Sequence, residues 1–232
     1  HSSRGSHPLR SRRQAVKLLG IQACDVTALV FDMDGTLYEN LDYYRFQESS
    51  QVERLAGFLG ISPSEAAERL GAARFARRAA ALPATSMANH FLTLGVDMPS
   101  IIRWREEALD PRQWLTADSR LDAALALLAQ RFRLALLTNN PRSVGRASLQ
   151  ALGVAARFEQ VIGLDDTGKS KPSAEPFIAA CRGLGLPFAS CVSIGDRQDV
   201  DIEPALALGM GGILVRGARD VYELPAFFGL ST

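Results

Sequence analysis

The sequence is poor in the residues that build a disulfide framework or a thiolate zinc site. Its 232 residues include only three cysteines, and these do not form a C-x-x-C pattern. No apolar run approaches the roughly 20 residues that a membrane-spanning helix needs. The formal net charge is only +1, so no overall basic field attracts nucleic acid or an anionic membrane. We therefore expect a cytoplasmic protein without nucleic-acid or membrane partners.

Histidine is also scarce, which limits catalysis by imidazole. His1 and His7 lie in a segment that resembles the remnant of an expression tag, and residues 1–20 are interpreted as this remnant followed by a basic arm. The third histidine, His90, lies in a helical region, and the sequence contains no H-E-x-x-H pattern. Neither a serine–histidine nor a cysteine–histidine pair is indicated.

The sequence does contain the composition and the strand pattern of a globular α/β protein. Hydrophobic residues make up 47% and charged residues 22%. Five short apolar runs are continuous rather than alternating, which is typical of strands buried on both faces of a parallel sheet. They are residues 29–31, 134–137, 158–162, 192–194 and 213–215. Helical patterns alternate with these runs, so we predict a doubly wound, parallel, Rossmann-like sheet.

Residues 40–116 interrupt this alternation. The segment has no strand pattern, is rich in helix formers, and contains Ser62-Pro63 as a helix start signal. Its nine arginines balance nine acidic residues. We predict a helical insert at 40–116 within a core formed by residues 21–39 and 117–232.

Two carboxylates, Asp32 and Asp34, follow the first apolar run directly. An EF-hand calcium loop would need a preceding helix and a glycine at its sixth position. Here a strand precedes, and Gly35 is the fourth residue. A surface Asp-Gly turn is the other structural alternative.

Later apolar runs are followed by polar segments of the same kind. Thr138-Asn139-Asn140 forms a turn or helix cap, or it binds a ligand. The segment from Asp196 to Asp201 holds three carboxylates and is either a solvated loop or an oxygen-ligand site for a hard cation. Ligands bind outside the carboxyl ends of the strands in open α/β sheets. We therefore expect one crevice that contains the two aspartates of the first motif, Thr138, Asp196, Asp201 and one of two lysines, Lys169 or Lys171.

The segment from Gly163 to Ser170 matches the P-loop pattern G-x-x-x-x-G-K-[ST], which predicts nucleotide binding through Lys169. Asp165 and Asp166 would place negative charge in the phosphate cradle, and Pro172 has no N–H to offer a phosphate. This alternative also leaves the first pair of carboxylates without a role.

Carboxylates gathered in one crevice repel each other, and a divalent cation offsets that repulsion. Magnesium suits a site that is shared with a phosphate. A carboxylate is an acceptable nucleophile toward phosphorus, and a neighbouring carboxyl group can protonate the leaving oxygen. A hydroxyl and a lysine would neutralise the phosphoryl oxygens.

In this order the motifs resemble those of the haloacid dehalogenase superfamily of phosphatases, over residues 25–39 and 117–216. The run from Phe31 to Leu37 is the most specific part. The resemblance implies an aspartyl-phosphate on Asp32 and a general acid/base at Asp34. It implies that the phosphoryl group is bound by Thr138, Asn139 and Lys171, the lysine that precedes proline. The magnesium ligands that it implies are drawn from Asp32, the Met33 carbonyl, Asp34, Asp196 and Asp201.

The same resemblance identifies residues 40–116 as a small helical cap that closes over the crevice. Asp34 favours phosphate esters over dehalogenation, because a halide leaving group needs no proton. The three lysines, Lys17, Lys169 and Lys171, all lie outside the insert, so a phosphonate hydrolase with a cap lysine is not indicated. A phosphomutase, a P-loop enzyme and a non-catalytic binding protein remain as alternatives.

We predict magnesium-dependent hydrolysis of a small phosphate monoester through an aspartyl-phosphate, by a monomer or weak homodimer. A nucleotide, a sugar phosphate and phosphoglycolate all remain open as substrates. Arg74, Arg77 and Arg78 either contact an anionic part of the substrate or form a solvated helix face. Aromatic residues at the start of the insert either stack on a base or anchor the insert; they are Tyr43, Tyr44 and Phe46.

Overall fold

A six-stranded sheet forms the centre of the computed structural model, which describes residues 16–83 and 85–230. The strands are β1 (Leu18–Leu19), β2 (Ala28–Phe31), β3 (Arg133–Leu137), β4 (Gln160–Ile162), β5 (Cys191–Gly195) and β6 (Gly211–Leu214). Their order across the sheet is β1-β6-β5-β2-β3-β4. All neighbours pair in parallel except β1, which is antiparallel to β6. The predicted α/β class with a mainly parallel sheet is confirmed.

Strand β1 corrects the prediction for the N-terminal arm. Leu18 pairs with Ile213 and Leu19 pairs with Gly212, so these two residues of the segment 1–20 belong to the sheet. A strand of two residues is too short to show a hydrophobic period, and only its pairing with β6 defines it. The tag remnant and the arginines of the predicted arm lie in residues 1–15, outside the described residues.

Helices cover the sheet and fill the insert. They are α1 (Leu41–Leu59), α2 (Pro63–Ala79), α3 (Met87–Thr93), α4 (Met98–Ala108), α5 (Ser119–Leu128), α6 (Arg142–Ala151), α7 (Leu164–Thr167), α8 (Ala174–Leu184), α9 (Glu203–Ala207) and α10 (Ala218–Phe227). A π-helical turn, Gln198–Ile202, precedes α9.

The alternation of side chains along β2 shows why the sheet carries helices on both faces. Leu29 and Phe31 belong to a cluster with the buried residues of α5, α6 and α10. Ala28 and Val30 belong to a second cluster with those of α8 and α9. Successive side chains of a strand point to opposite faces, so a continuous apolar run buries both.

Helices α1 to α4 occupy the segment that was predicted as an insert, and no strand occurs in its described residues. Helix α2 begins at the predicted signal, since the Ser62 hydroxyl accepts a hydrogen bond from the Glu65 amide. Helix α1 ends at Gly60, which adopts the left-handed conformation. The four helices share a hydrophobic cluster that also includes Leu164 of α7. The insert therefore packs onto the core.

None of the described helices is both long and apolar enough to cross a membrane. The three cysteines are free; Cys24 is exposed, whereas Cys181 and Cys191 are buried. This agrees with a sequence that does not predict a disulfide framework.

Candidate active site

The register of the central strands brings the predicted polar segments to one edge of the sheet. Phe31 of β2 is aligned with Leu136 of β3 on one side and with Ile194 of β5 on the other. The next residue, Asp32, stays attached to the sheet because its amide donates to the Ile194 carbonyl over 2.8 Å. Thr138 follows β3 and Asp196 follows β5 at the same edge. This is the crevice in which ligands bind in open α/β sheets.

Lys171 joins two carboxylates at the floor of this crevice. Its Nζ lies 2.6 Å from Oδ1 of Asp32 and 2.7 Å from Oδ1 of Asp201, and its side chain is only 3% exposed. Burial acts to lower the pKa of Lys171, but the two carboxylates outweigh it and hold the pKa above its usual range. Burial raises the pKa of Asp32, although Lys171 acts to lower it. One ammonium therefore stabilises the buried Asp201 carboxylate and the partly buried Asp32 carboxylate.

A third carboxylate leaves the site with excess negative charge. Carboxylate oxygens of Asp32, Asp196 and Asp201 all lie within 4.8 Å of one another. Oδ1 of Asp196 is buried and has no hydrogen-bond partner among the described residues. Burial and then Asp201 raise the pKa of Asp196 to about 6. A cluster of oxygen ligands with an unpartnered buried carboxylate oxygen fits a hard divalent cation such as Mg²⁺.

Asp34 lies apart from this cluster and faces the cleft. Its Oδ1 accepts hydrogen bonds from the Tyr38 hydroxyl and, over 2.8 Å, from Nε2 of Gln47. Its Oδ2 accepts from Nδ2 of Asn140 over 3.2 Å. Three donors therefore orient the carboxyl group of the proposed acid.

The Asp34 carboxylate and the Met33 carbonyl differ in their surroundings from the other three predicted magnesium ligands. The Asp34 carboxylate is not part of the acidic cluster. The Met33 carbonyl accepts from the amides of Thr36 and Leu37 over 3.2 and 2.9 Å. The carboxylates that lie close enough together for one cation are those of Asp32, Asp196 and Asp201.

The segment after β3 organises the lysine. The Asn139 side chain accepts from the Lys171 amide over 2.7 Å and donates to the Lys171 carbonyl over 3.2 Å. Buried Thr138 accepts from the Asn140 amide through its hydroxyl over 3.1 Å. Asn139 therefore supports the backbone that carries Lys171, while Thr138 shapes the turn beside it.

The segment with the P-loop pattern is closed to a phosphate. Oδ1 of Asp165 accepts from the Arg142 amide over 2.6 Å, and Oδ2 of Asp166 accepts from the Gly163 amide over 2.7 Å. Lys169 is exposed, and the Ser170 hydroxyl pairs with that of Ser86 over 2.7 Å. The amide that a phosphate would need is occupied by a carboxylate of the loop itself, so the geometry does not support nucleotide binding here.

A cleft of about 460 Å³ lies between core and insert. The core contributes Asp34, Asn139, Asn140 and Arg197, and the insert contributes Gln47, Gln51, Arg74 and Arg105 among others. The buried guanidinium of Arg105 donates to the Asn139 carbonyl, and burial lowers the pKa of Arg105 to about 10, with Asp34 acting against this. The insert thus supplies one wall of the site.

The aromatic residues at the start of the insert act as anchors. Tyr43 is buried and stacks on Trp114, with ring centroids 5.7 Å apart, and Phe46 stacks on the same indole. The Tyr44 hydroxyl accepts from the Gly35 amide and donates to the Tyr38 carbonyl, both over 2.8 Å. These contacts fix the junction between core and insert.

Sequence reasoning missed the partners of Asp34 and Asn139. Asn140 belongs to the polar segment after β3, but its role depends on a contact 106 positions away in the chain. Gln47 and Arg105 lie within helical patterns that give no signal for a functional residue. Only the packing of the insert shows that they reach the crevice.

Comparison with known proteins identifies the family of the chain. Residues 26–209 match the haloacid dehalogenase-like hydrolases. The chain is 30% identical to N-acetylmuramic acid 6-phosphate phosphatase of Pseudomonas aeruginosa over 87% of each chain. It is 29% identical to N-acylneuraminate-9-phosphatase of Rattus norvegicus over 46% of this chain and 42% of that protein, so it matches less than half of that relative.

A crystal structure of a HAD phosphatase from Thermococcus onnurineus has the same fold, with a TM-score of 0.57 and 22% identity over 88% of this chain and 98% of that one. The two relatives named above are phosphatases. On the evidence of its motifs, its sheet and these matches, the chain belongs to the haloacid dehalogenase-like hydrolase family.

Proposed function

We propose that this protein hydrolyses small phosphate monoesters through an aspartyl-phosphate at Asp32, with Mg²⁺ as cofactor. The observation that carries the proposal is the pairing of buried Lys171 with Asp32 and Asp201, beside Asp196 with its unpartnered oxygen. This arrangement supplies a nucleophile, a fixed cation and a set of oxygen ligands at one point. Phosphoryl transfer needs little more than positioning and neutralisation of charge.

In the first step a carboxylate oxygen of Asp32 attacks phosphorus and forms an acyl-phosphate bond. The bond between phosphorus and the ester oxygen breaks, and its electron pair remains on the leaving oxygen. Asp34 donates its proton to that oxygen, so that the product leaves as an alcohol. Gln47 and Asn140 hold the Asp34 carboxyl group during this transfer.

In the second step Asp34, now a carboxylate, removes a proton from a water molecule. The resulting oxygen attacks phosphorus, the bond to Asp32 breaks, and inorganic phosphate is released. Asp32 regains its carboxylate and Asp34 regains its proton, so both groups return to their starting state.

The carboxylates of Asp32, Asp196 and Asp201 would hold the cation. When bound, Mg²⁺ offsets negative charge on the phosphoryl oxygens as they approach these carboxylates. Lys171 supplies the fixed positive charge at the same point. Asn139 holds the lysine backbone in place through both ends of its amide.

The size of the cleft and the relatives support a sugar-sized phosphate ester. A volume of about 460 Å³ is within the usual range for small-molecule sites. The named relatives are phosphatases of N-acetylmuramic acid 6-phosphate and of N-acylneuraminate 9-phosphate.

The proposal is tested by measuring hydrolysis of para-nitrophenyl phosphate with Mg²⁺ and with EDTA, in the native protein and in Asp32→Asn. We expect magnesium-dependent release of phosphate that is abolished by the substitution. Activity that persists in Asp32→Asn would exclude the proposed nucleophile. A covalent phosphate that is trapped by acid quench and is absent from Asp32→Asn would identify the intermediate directly.

Repeating the assay with a sugar phosphate as substrate separates hydrolysis from the alternatives. A mutase would leave phosphate on an isomeric sugar rather than in solution. A binding protein would take up Mg²⁺ without release of phosphate.

A further inference from the structure

A second cavity, of about 400 Å³, lies beside the cleft and is lined by basic side chains. Arg74, Arg77 and Arg78 come from helix α2, and His90 comes from α3. Arg197 comes from the core, where it is the second residue after the end of β5. Basic groups of the insert and of the core thus face one space, which we call the cationic cavity.

Two of the four arginines that line the cationic cavity have no ion-pair partner among the described residues. Arg77 and Arg78 form no salt bridge with any described residue, whereas Arg74 pairs with Glu48 at 2.6 Å. Arg197 contacts exposed Asp199 at 3.8 Å, at the long end of the range for an ion pair. None of the described residues that line the cationic cavity is acidic. The cavity therefore has an excess of positive charge.

Two further observations indicate that this is a formed site rather than a solvated helix face. Nε of Arg77 donates to the Pro83 carbonyl over 2.6 Å, which holds the guanidinium at the cavity wall. His90 is buried, and its pKa is lowered by burial and then by Arg74 and Arg77. Arg74 and Arg77 thus lie close enough to this buried imidazole to act on it electrostatically.

The cationic cavity is continuous with the cleft. Arg74, Met87 and Arg197 line both spaces. The cleft also contains Asp34, the proposed proton donor to the leaving group. The two spaces therefore share a wall, with Asp34 in the cleft and Arg77 and Arg78 in the cationic cavity.

We propose that the substrate is a phosphate ester whose leaving group carries a second anionic group, a carboxylate or another phosphate, which binds in the cationic cavity. Arginine is suited to this role because its planar guanidinium binds either group through two parallel hydrogen bonds. The inference rests on the proposed function and adds the substrate class to it.

The test uses pairs of esters that differ only in the second charge. 3-Phosphoglycerate is compared with glycerol 3-phosphate, and 6-phosphogluconate with sorbitol 6-phosphate, because each pair exchanges a carboxylate for a hydroxymethyl group at a different length. Fructose 1,6-bisphosphate against fructose 6-phosphate tests a second phosphate. We expect kcat/KM for the doubly anionic member of at least one pair to be about tenfold higher or more, since a charge-assisted contact is worth a factor of that order.

The double substitution Arg77→Gln/Arg78→Gln should reduce this preference at least several-fold. Arg69→Gln is the matched control, because Arg69 lies on the same helix, pairs with Glu65 and does not line the cavity. The control should retain the preference of the native protein. A preference that is unchanged in the double variant would overturn the proposal.

The pKa of His90 reports ligand binding in the cationic cavity without requiring catalytic turnover. In Asp32→Asn protein the His90 pKa is measured by NMR with saturating 3-phosphoglycerate and with glycerol 3-phosphate, and the signal is assigned with His90→Gln. An anion in the cavity stabilises the imidazolium ion, so the doubly anionic ligand should raise the pKa more than its partner does. Equal values for the two ligands would contradict binding in this cavity.

Failure of this inference is distinguishable from failure of the proposed function. If para-nitrophenyl phosphate is hydrolysed but no pair shows a preference, the phosphatase proposal stands and the second anionic group is excluded. If para-nitrophenyl phosphate and all esters are inert, the proposed function itself fails.

Discussion

Gln47, on the first helix of the insert, donates a hydrogen bond from Nε2 to Oδ1 of Asp34 over 2.8 Å. Its own Oε1 accepts from Nδ2 of Asn140 over 3.2 Å, and Asn140 also donates to Asp34. An amide of the insert and an amide of the core thus hold the same carboxyl group. The carboxyl group of Asp34, the proposed acid, is fully positioned only when the insert is packed against the core. The same packing that closes the site therefore also completes the set of donors to this carboxyl group.

The first prediction concerns Gln47→Ala. Loss of this donor should leave the Asp34 carboxyl group free to rotate and should reduce kcat about tenfold for an alkyl phosphate, whose leaving oxygen needs a proton. The reduction should be smaller for para-nitrophenyl phosphate, because nitrophenolate leaves without one. Ser49→Ala, on the exposed side of the same helix, is the control. Equal losses with both substrates would show that Gln47 does not act through Asp34.

The second prediction separates the two lysines. Lys171→Met should abolish activity and should lower the free energy of unfolding by about 3–5 kcal/mol, because removal of one partner leaves buried carboxylates facing each other. Lys169→Met changes an exposed side chain and should alter neither quantity. Activity and urea denaturation are measured for both variants. Loss of activity in Lys169→Met alone would favour the P-loop alternative.

The third prediction concerns Gly35, which has φ of +80° and lies against Asp196. A Cβ at this position would collide with the Asp196 carboxylate, and the backbone conformation disfavours any other residue. Gly35→Ala should therefore raise the Mg²⁺ concentration that gives half-maximal activity, about tenfold or more. Gly57 lies in α1 with open space around it, so Gly57→Ala should leave the metal dependence unchanged and stabilise the fold by about 0.5–1 kcal/mol.

The fourth prediction uses metal binding without catalysis. A cation that binds only the folded state stabilises it by about 2.7 kcal/mol at 100 times its dissociation constant. Mg²⁺ should therefore raise the melting temperature of the native protein in calorimetry, and EDTA should reverse the effect. Asp196→Asn removes one ligand of the acidic cluster and should reduce this stabilisation at the same Mg²⁺ concentration. An equal rise in both proteins would place the cation elsewhere.

The fifth prediction concerns Asp118, which caps α5 and accepts from the amides of Arg120 and Leu121 and from the Tyr222 hydroxyl. Burial acts to raise the pKa of Asp118, but these hydrogen bonds outweigh it and the pKa lies below its usual value. Because the pKa of Asp118 is lower in the folded state, the ionised carboxylate stabilises the fold at pH values above about 3.9, the pKa of an unfolded aspartate. This stabilisation is lost as the pH falls through the pKa of the folded state. Asn also serves as an N-cap, so Asp118→Asn removes only the negative charge at the helix N-terminus and should be less stable than the native protein by roughly 0.3–1 kcal/mol at pH 7.

The stability difference between these two proteins should begin to shrink below about pH 4, where the carboxylate becomes protonated in the unfolded state, and should be lost once the pH falls below the lowered pKa of the native carboxylate. Urea denaturation at pH 7 and pH 3 measures the difference. A difference that is constant over this range would mean that the ionised form of Asp118 contributes nothing.

The sequence by itself determined the features that depend on local patterns. Continuous apolar runs predicted the five parallel strands because a strand that is buried on both faces shows no alternation. The Ser62-Pro63 signal predicted the start of α2 because capping is a local interaction. Asp32 and Asp34 were predicted as functional because two carboxylates that leave a buried strand serve no purpose in packing.

Tertiary structure alone decided which side chains meet. Gln47 and Arg105 show no signal in the sequence, since their partners, Asp34 and Asn139, lie outside the insert in the sequence. Strand β1 exists only through its pairing with β6. In the structure, Lys171 is identified as the lysine of the site by the 2.6 Å contact between its Nζ and Oδ1 of Asp32, which lies 139 positions away in the chain. Such contacts depend on how the elements pack, and local periodicity carries no information about a partner that is distant in the chain.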